Sequence, residues 1–229
     1  MEVIREAIGL LFGQNSELRQ IIGTTLQMSF TSTLLACLMG IPLGVLIGSS
    51  YFRGKRLVLH ITNTLMGLPP VVAGLLVFFL LSRSGPFGTY KLLYSVPAMI
   101  IAQVLLITPI ATGQAAAIAS ARAPMMAETA FGIGLSRARR LWYALYESRK
   151  QLFCVLFTGF GRAISEVGAA QLVGGNIQHK TRVMTTAIVL ETNKGNFGLA
   201  VALGIILLII AFLVTSVAHR LQEGRRDTA

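Results

Sequence analysis

Residues 121–150, ARAPMMAETAFGIGLSRARRLWYALYESRK, decide how the rest of the chain is read. This is the longest segment without a spanning-length apolar run. It carries six of the twenty basic residues: Arg122, Arg137, Arg139, Arg140, Arg149 and Lys150. The chain on either side is mostly apolar. A polar, basic, helix-forming insert between membrane segments belongs on the cytoplasmic surface, where a soluble partner can grip it. Within it, Pro124 suits a first helical position and Glu128 follows in the next turn. Gly132 and Gly134 can end that short helix and turn the chain. Residues 135–150 then read as a second helix, with Arg137, Arg140, Trp142, Tyr143 and Tyr146 suited to a membrane surface.

Composition agrees. Of 229 residues, 54% are hydrophobic and 13% charged, about half the charged fraction of a soluble domain. The expected class is an all-α integral membrane protein, one domain over 1–229. The net charge of +11 does not point to nucleic acid, because the basic residues are dispersed over short loops between apolar runs. Cys37 and Cys154 lie in separate apolar runs and read as small buried hydrophobes, with no metal spacing. The beginning of the chain is no signal peptide. Val3, Ile4, Ala7, Ile8, Leu10 and Leu11 form a stripe at helical spacing while Glu2, Arg5 and Glu6 face away. Residues 1–19 therefore read as an amphipathic interfacial helix, ended by Gln14-Asn15-Ser16.

Charge-free runs of spanning length occupy residues 20–52, 57–82, 92–121 and 195–219. A fifth, 151–174, is equally apolar but contains Arg162 and Glu166. With five spans and the N-terminus outside, Arg53, Lys55, Arg56, the six cations of the insert, Arg220, Arg225 and Arg226 lie inside. Only Arg5, Arg19, Arg83, Lys91, Lys180, Arg182 and Lys194 lie outside, so the positive-inside rule places the N-terminus out and the C-terminus in.

Gly40, Gly44 and Gly48 make one small face in the first span, where another helix can approach closely. Pro42 and Pro109 predict kinks. Pro69-Pro70 predicts a bent or broken second span, which serves either packing or a pathway. No internal repeat of the kind seen in secondary transporters is present.

Arg162 lies twelve residues past Lys150, about 18 Å along a helix. A charge at that depth costs at least ~3 kcal/mol unless it is paired or wet. Two compatible readings stand. Arg162 and Glu166 pair with each other at spacing four, or they face a water-filled cavity and bear on the path of an anion. Gly161, Ser165 and Ala169 are expected to form a small face on the same helix.

The insert resembles a known loop. Glu128-Thr129-Ala130, followed by Gly134, is similar to the Glu-Ala-Ala-x-x-x-Gly loop of permease subunits of binding-protein-dependent ABC importers. That pattern continues with Ile-x-Leu-Pro, where this chain has Ala144-Leu145-Tyr146-Glu147. The fifth segment and its sequel also resemble this family: Gly161-Arg162-Ala163, Ser165-Glu166-Val167-Gly168-Ala169, Gly174-Gly175-Asn176-Ile177 and the run from Thr181-Arg182-Val183-Met184 to Ile188. These, with Glu191-Thr192-Asn193-Lys194-Gly195, look like the molybdate, sulfate and tungstate permeases, and most like the tungstate members.

The resemblance implies a type I ABC importer permease fold. Five transmembrane helices would follow the interfacial helix, and residues 121–150 would form the cytoplasmic coupling loop. Glu128, Thr129, Ala130 and Gly134 would engage the ATPase. Arg162, Ser165 and Glu166 would border the translocation pathway, and Asn176, Thr181 and Arg182 would belong to the loop that receives the binding protein. It implies a homodimer in the inner or plasma membrane, with two copies of an ABC ATPase and a periplasmic or extracellular substrate-binding protein. Its cargo would be tungstate, or molybdate.

No enzyme motif competes with this reading. The Gly-x4-Gly-Lys-Ser/Thr pattern is absent, and His60, His179 and His219 make no zinc site. This chain is expected to bind no cofactor, with ATP and Mg used by the partner subunit. The alternative is an ATP-independent secondary transporter or channel for small anions, against which the missing repeat and the insert both count.

Overall fold

The computed structural model describes residue 9, residues 16–132 and residues 137–223. Every regular element among the described residues is a helix. In chain order these are α1 (Ser16–Ser49), α2 (Lys55–Met66), α3 (Pro70–Leu81), a single 3-10 turn (Gly88–Tyr90), α4 (Val96–Gly132), α5 (Arg137–Ile164), α6 (Gly168–Gly174), α7 (Met184–Asn193) and α8 (Phe197–Glu223). Three stretches, Ser16–Ser49, Val96–Ala121 and Phe197–Ala218, are each long and apolar enough to cross a membrane. Two further pairs qualify as broken spans. α2 and α3 bend by 96° across Gly67–Pro69, and the apolar part of α5 bends by 60° to α6. Among the described residues the candidate spans thus number three to five. Phe30, Leu38, Phe79, Leu208 and Phe212 stand exposed, as suits helices whose surroundings are hydrocarbon rather than water.

The chain divides into two compact units. The first comprises Met1–Ser32, Pro69–Gln103 and Gly161–Val214. Met28, Met99, Ala170 and Val183 are buried together there, with Val96 and Ile100 packed against them. In this unit α3 lies directly on α6. A Cβ added to Gly74 would meet the Cα of Ala169, and one added to Gly168 would meet the side chain of Val71.

The second unit comprises Thr33–Leu68, Val104–Phe160 and Thr215–Ala229. Val45, Ala115, Ala119 and Leu152 form one buried cluster, and Cys37, Ala111 and Val155 another. Both cysteines are free and buried. The expected glycine face is present. Gly40 lies against Thr108 and Ala111 of α4, Gly44 against Thr112 and Ala115, and Gly48 against Ala116 and Ala119. Each glycine steps one turn along a row of small residues on α4, which brings the two backbones together. The hydroxyl of Ser120 and the ammonium of Lys55 both donate to the Gly48 carbonyl, at 3.3 and 2.6 Å.

Three expectations change. The third span does not stop near residue 121 to let a new helix start at Pro124; α4 runs unbroken to Gly132. One proline removes a single helical hydrogen bond, and the alanine-rich turns before it favour continuing. Residues 137–150 are likewise not a separate surface helix, because α5 continues into the next span as one helix of 28 residues. The first span begins at Ser16 rather than Gln20. Glu17 in its first turn opposes the positive end of the helix dipole. The rest of the expected interfacial helix, Gly9 apart, lies outside the described residues.

Gly44 and Gly23 lie on the same helix but differ in surroundings. A Cβ at Gly44 meets backbone of α4 that cannot swing aside, whereas nothing lies within 4 Å of one at Gly23. Gly44→Ala should cost about 1–3 kcal/mol through overpacking. Gly23→Ala should be neutral or gain up to ~1 kcal/mol of helix propensity. Thermal unfolding of the two variants in detergent checks the contrast.

Candidate functional site

α5 ends at Ile164 and α6 begins at Gly168, so Ser165, Glu166 and Val167 form an unwound turn within an apolar stretch. The local sequence explains the stop. Side chains of Ser and Glu offer the backbone partners that compete with the helix. The Ser165 hydroxyl donates back to the Arg162 carbonyl at 3.1 Å. A carboxylate oxygen of Glu166 accepts the Ala169 N–H at 3.1 Å. Arg162, Ser165 and Glu166 are therefore brought together, but not on one helical face. Gly161, Ser165 and Ala169 do not share a helix, and the small face expected of them is replaced by the packing of Ala169 against α3.

The Arg162–Glu166 pair forms, with Nη2 and Oε2 at 3.9 Å. That is a charge contact too long for a hydrogen bond. The Glu166 side chain is 5% exposed and that of Arg162 is 40% exposed. The Nε of Arg162 is buried with no hydrogen-bond partner among the described residues. Arg162 thus presents a guanidinium whose donors are largely unspent.

Three side chains missed by sequence reasoning hold this turn. Gln103 on α4 donates from Nε2 to the Ala163 carbonyl at 2.9 Å. Ser32 on α1 donates to Gln103 Oε1 at 2.5 Å. Thr185 on α7 donates to the Glu166 carbonyl at 2.8 Å. Their signal was available: Gln103 and Ser32 are polar residues inside charge-free apolar runs, where a polar group needs a partner.

The predicted loop residues also meet. Asn176 adopts a left-handed backbone (φ 51°), which asparagine tolerates better than most residues. Its amide donates to the Thr186 carbonyl at 3.3 Å and accepts from the Thr186 hydroxyl at 3.0 Å. Thr181 is fully buried. Its hydroxyl donates to the Gly174 carbonyl at 2.6 Å and accepts the Ile177 N–H at 3.0 Å, so it shapes the loop from within. Arg182 Nη1 meets Glu17 Oε1 at 3.0 Å, and Gln178 donates to the same oxygen at 2.9 Å. Gln20 donates to the His179 carbonyl at 2.8 Å. The start of α1 therefore pins the loop, and α7 begins at Met184.

Glu128, Thr129 and Ala130 lie on the last turns of α4. Their side chains, and Gly134 altogether, lie outside the described residues.

After α7, Glu191 closes the turn into α8. Its carboxylate accepts from Lys194 Nζ and from Asn196 Nδ2, each at 2.9 Å. Burial works to raise its pKa. The hydrogen bonds from Lys194 and Asn196, and the charges of Lys194 and Arg182, outweigh burial and hold the carboxyl below its usual range. A depressed folded-state pKa means the stabilisation is present above the ordinary value of 4.5 and lost as pH falls through the folded-state value. Glu191→Gln should lower the thermal midpoint at pH 7, and the gap to the unsubstituted chain should close below pH 4.5. A midpoint series against pH measures it.

Comparison with known proteins agrees with this architecture. The sequence profile of the family described as "binding-protein-dependent transport system inner membrane component" matches residues 40–227. The chain is 39% identical to the tungstate uptake system permease protein of Peptoclostridium acidaminophilum, over 97% of both chains. It is 37% identical to the corresponding tungstate permease of Campylobacter jejuni, over 96% of this chain and 92% of that one. Among solved structures, the crystal structure of a bacterial alginate ABC transporter, in complex with an alginate pentasaccharide-bound periplasmic protein, has a chain that superposes with a TM-score of 0.71. The match is at 21% identity and covers all of this chain and 88% of that one. With the family profile spanning most of its length and these relatives nearly all of it, this chain belongs to the inner membrane components of binding-protein-dependent transport systems.

Proposed function

We propose that this permease forms the membrane pathway of an ATP-driven importer of an oxyanion, tungstate or its near-equal in size and charge, molybdate, handed over by an extracytoplasmic binding protein. The observation that carries the anion is Arg162. A guanidinium 40% exposed, with its carboxylate neighbour 3.9 Å away, keeps donors for a tetrahedral oxyanion. The likeness to two tungstate permeases narrows the class.

The rest of the assembly follows from the family. Counting each bent pair as one span gives five, with the N-terminus outside, residues 1–19 on the interface and the C-terminus in the cytoplasm, as the basic residues prefer. The family profile covers stretches of both compact units, which supports one permease domain over residues 1–229. Two copies of this chain pair with two ATPase subunits, which bind ATP and Mg. Residues 121–150 are the coupling loop, and Glu128, Thr129, Ala130 and Gly134 engage the ATPase. Ser165 and Glu166 flank Arg162 on the pathway. Asn176 and Arg182 belong to the face that meets the binding protein, with Thr181 keeping its shape.

In vesicles holding the permease, its ATPase and the binding protein, tungstate-loaded binding protein should stimulate ATP hydrolysis more than sulfate-loaded protein. ATP-independent uptake by the permease alone would overturn the reading. Gly134→Arg should abolish the stimulation while the assembly stays intact. Arg162→Gln should lower uptake about 10- to 100-fold, the worth of a charge-assisted hydrogen bond. Uptake that follows only the amount of assembled complex would remove Arg162 from the path.

A further inference from the structure

Gln103 is 1% exposed and sits in an apolar stretch of α4. Both ends of its amide are engaged, Nε2 with the Ala163 carbonyl at 2.9 Å and Oε1 with the Ser32 hydroxyl at 2.5 Å. The orientation is fixed by chemistry. A carbonyl only accepts, so the amide nitrogen faces Ala163 and the oxygen faces α1. Ser32 must then turn its single proton to Gln103 rather than to the Ser29 carbonyl 3.1 Å away. Across the unwound turn, Thr185 Oγ1 holds the Glu166 carbonyl at 2.8 Å. The two carbonyls that flank the turn hang from two different helices, α4 and α7.

Packing alone would not ask for this arrangement. Interfaces between membrane helices favour small residues, and an amide in an apolar interior is costly unless both ends are bonded. In a continuous helix the Ala163 carbonyl would take the N–H of Val167, and the Glu166 carbonyl that of Ala170. In the broken turn those two helical donors are withdrawn, and Gln103 and Thr185 supply donors in their place. Their hydrogen bonds therefore stabilise the broken form by satisfying carbonyls that lose their helical donors.

We propose that Gln103, backed by Ser32 and matched across the break by Thr185, is a positioning residue of the anion path. It holds the last turn of α5 so that the Arg162 guanidinium is presented to the anion, a role that rests on the placement of Arg162 in the pathway proposed above. Gln103 acts through Arg162 and does not touch the anion.

The test uses the full complex in vesicles, with ATPase and tungstate-loaded binding protein. Gln103→Met keeps the length and removes both hydrogen bonds. It should lower uptake about tenfold, the worth of one buried hydrogen bond. In an Arg162→Gln background it should have little further effect, because both changes strike one device. Thr185→Val should lower uptake and Thr185→Ser, which keeps the hydroxyl, should restore it. The Thr185 pair decides the matter if Gln103→Met fails to assemble. Unchanged uptake in Gln103→Met and Thr185→Val overturns the proposal. Losses that multiply with that of Arg162→Gln also overturn it, leaving Gln103 a packing residue. If Arg162→Gln lowers uptake but Gln103→Met does not, the pathway reading stands and only the positioning role falls. If Arg162→Gln leaves uptake unchanged, the pathway reading itself falls and takes the positioning role with it.

Discussion

A backbone carbonyl in a hydrocarbon interior has no water to turn to, and that constraint governs where this chain can break. Among the described residues it breaks twice within apolar stretches, and it satisfies the freed groups in two different ways. At the α2–α3 break the backbone serves itself. The N–H groups of Gly67 and Leu68 bond the carbonyls of Thr64 and Leu65, both at 3.1 Å. The Pro69 carbonyl takes Val72 and Ala73 at 3.0 and 3.1 Å. Pro70 opens α3 at a position where no N–H is needed. At the α5–α6 break some bonds are local, among them Glu166 N–H to the Ala163 carbonyl at 3.3 Å and Ser165 Oγ to the Arg162 carbonyl at 3.1 Å. The others come from Gln103 and Thr185, far away in sequence.

The difference has consequences for what each break can respond to. A break satisfied by its own backbone needs no donors from neighbouring helices. One satisfied by α4 and α7 is tied to the positions of those helices. α7 makes a second tie through the next residue. Thr185 holds the carbonyl of Glu166, and Thr186 holds the side chain of Asn176. Within the first compact unit, adjacent residues of one helix thus grip the charged turn and the polar loop. α1 adds to both, through Ser32 by way of Gln103 and through Glu17 and Gln20 to the loop. The main-chain N–H of Met184 completes the set by donating to Thr25 on α1 at 2.9 Å.

What the sequence made legible follows which signals are local. The three glycines from Gly40 to Gly48 needed only their spacing to announce a close helix contact, and α4 supplies the small partners. Pro69-Pro70 announced its break through the geometry of the ring alone. The break at residues 165–167 gave a weaker signal: Ser165 and Glu166 offer local partners, but the donors to the Ala163 and Glu166 carbonyls include side chains on α4 and α7. Ser165 and Glu166 read equally well as part of a continuous helix, and the spacing of four suggested one. The run past Pro124 misled in the opposite sense: a local breaker lost to the helix on both sides of it. Thr181 looked like a polar loop residue and is wholly enclosed, because a threonine hydroxyl can serve two backbone groups of its own loop at once.

The continuity of α5 sets where this part of the chain departs from a helix. From Arg137 to Ile164 the helix is unbroken, about 42 Å at helical rise. Near its start Trp142 and Tyr146 are exposed. Arg149 lies over the Tyr146 ring at 4.1 Å, an arrangement suited to an interface between water and lipid. Its last turn carries Arg162. A sharp bend within such a helix would cost hydrogen bonds of its ladder. The ladder is interrupted at the three residues after Ile164, where the Glu166 carbonyl is held by the Thr185 hydroxyl. Arg162 thus stands where the helix ends, and the turn after it is held by side chains of other helices rather than by the helical ladder.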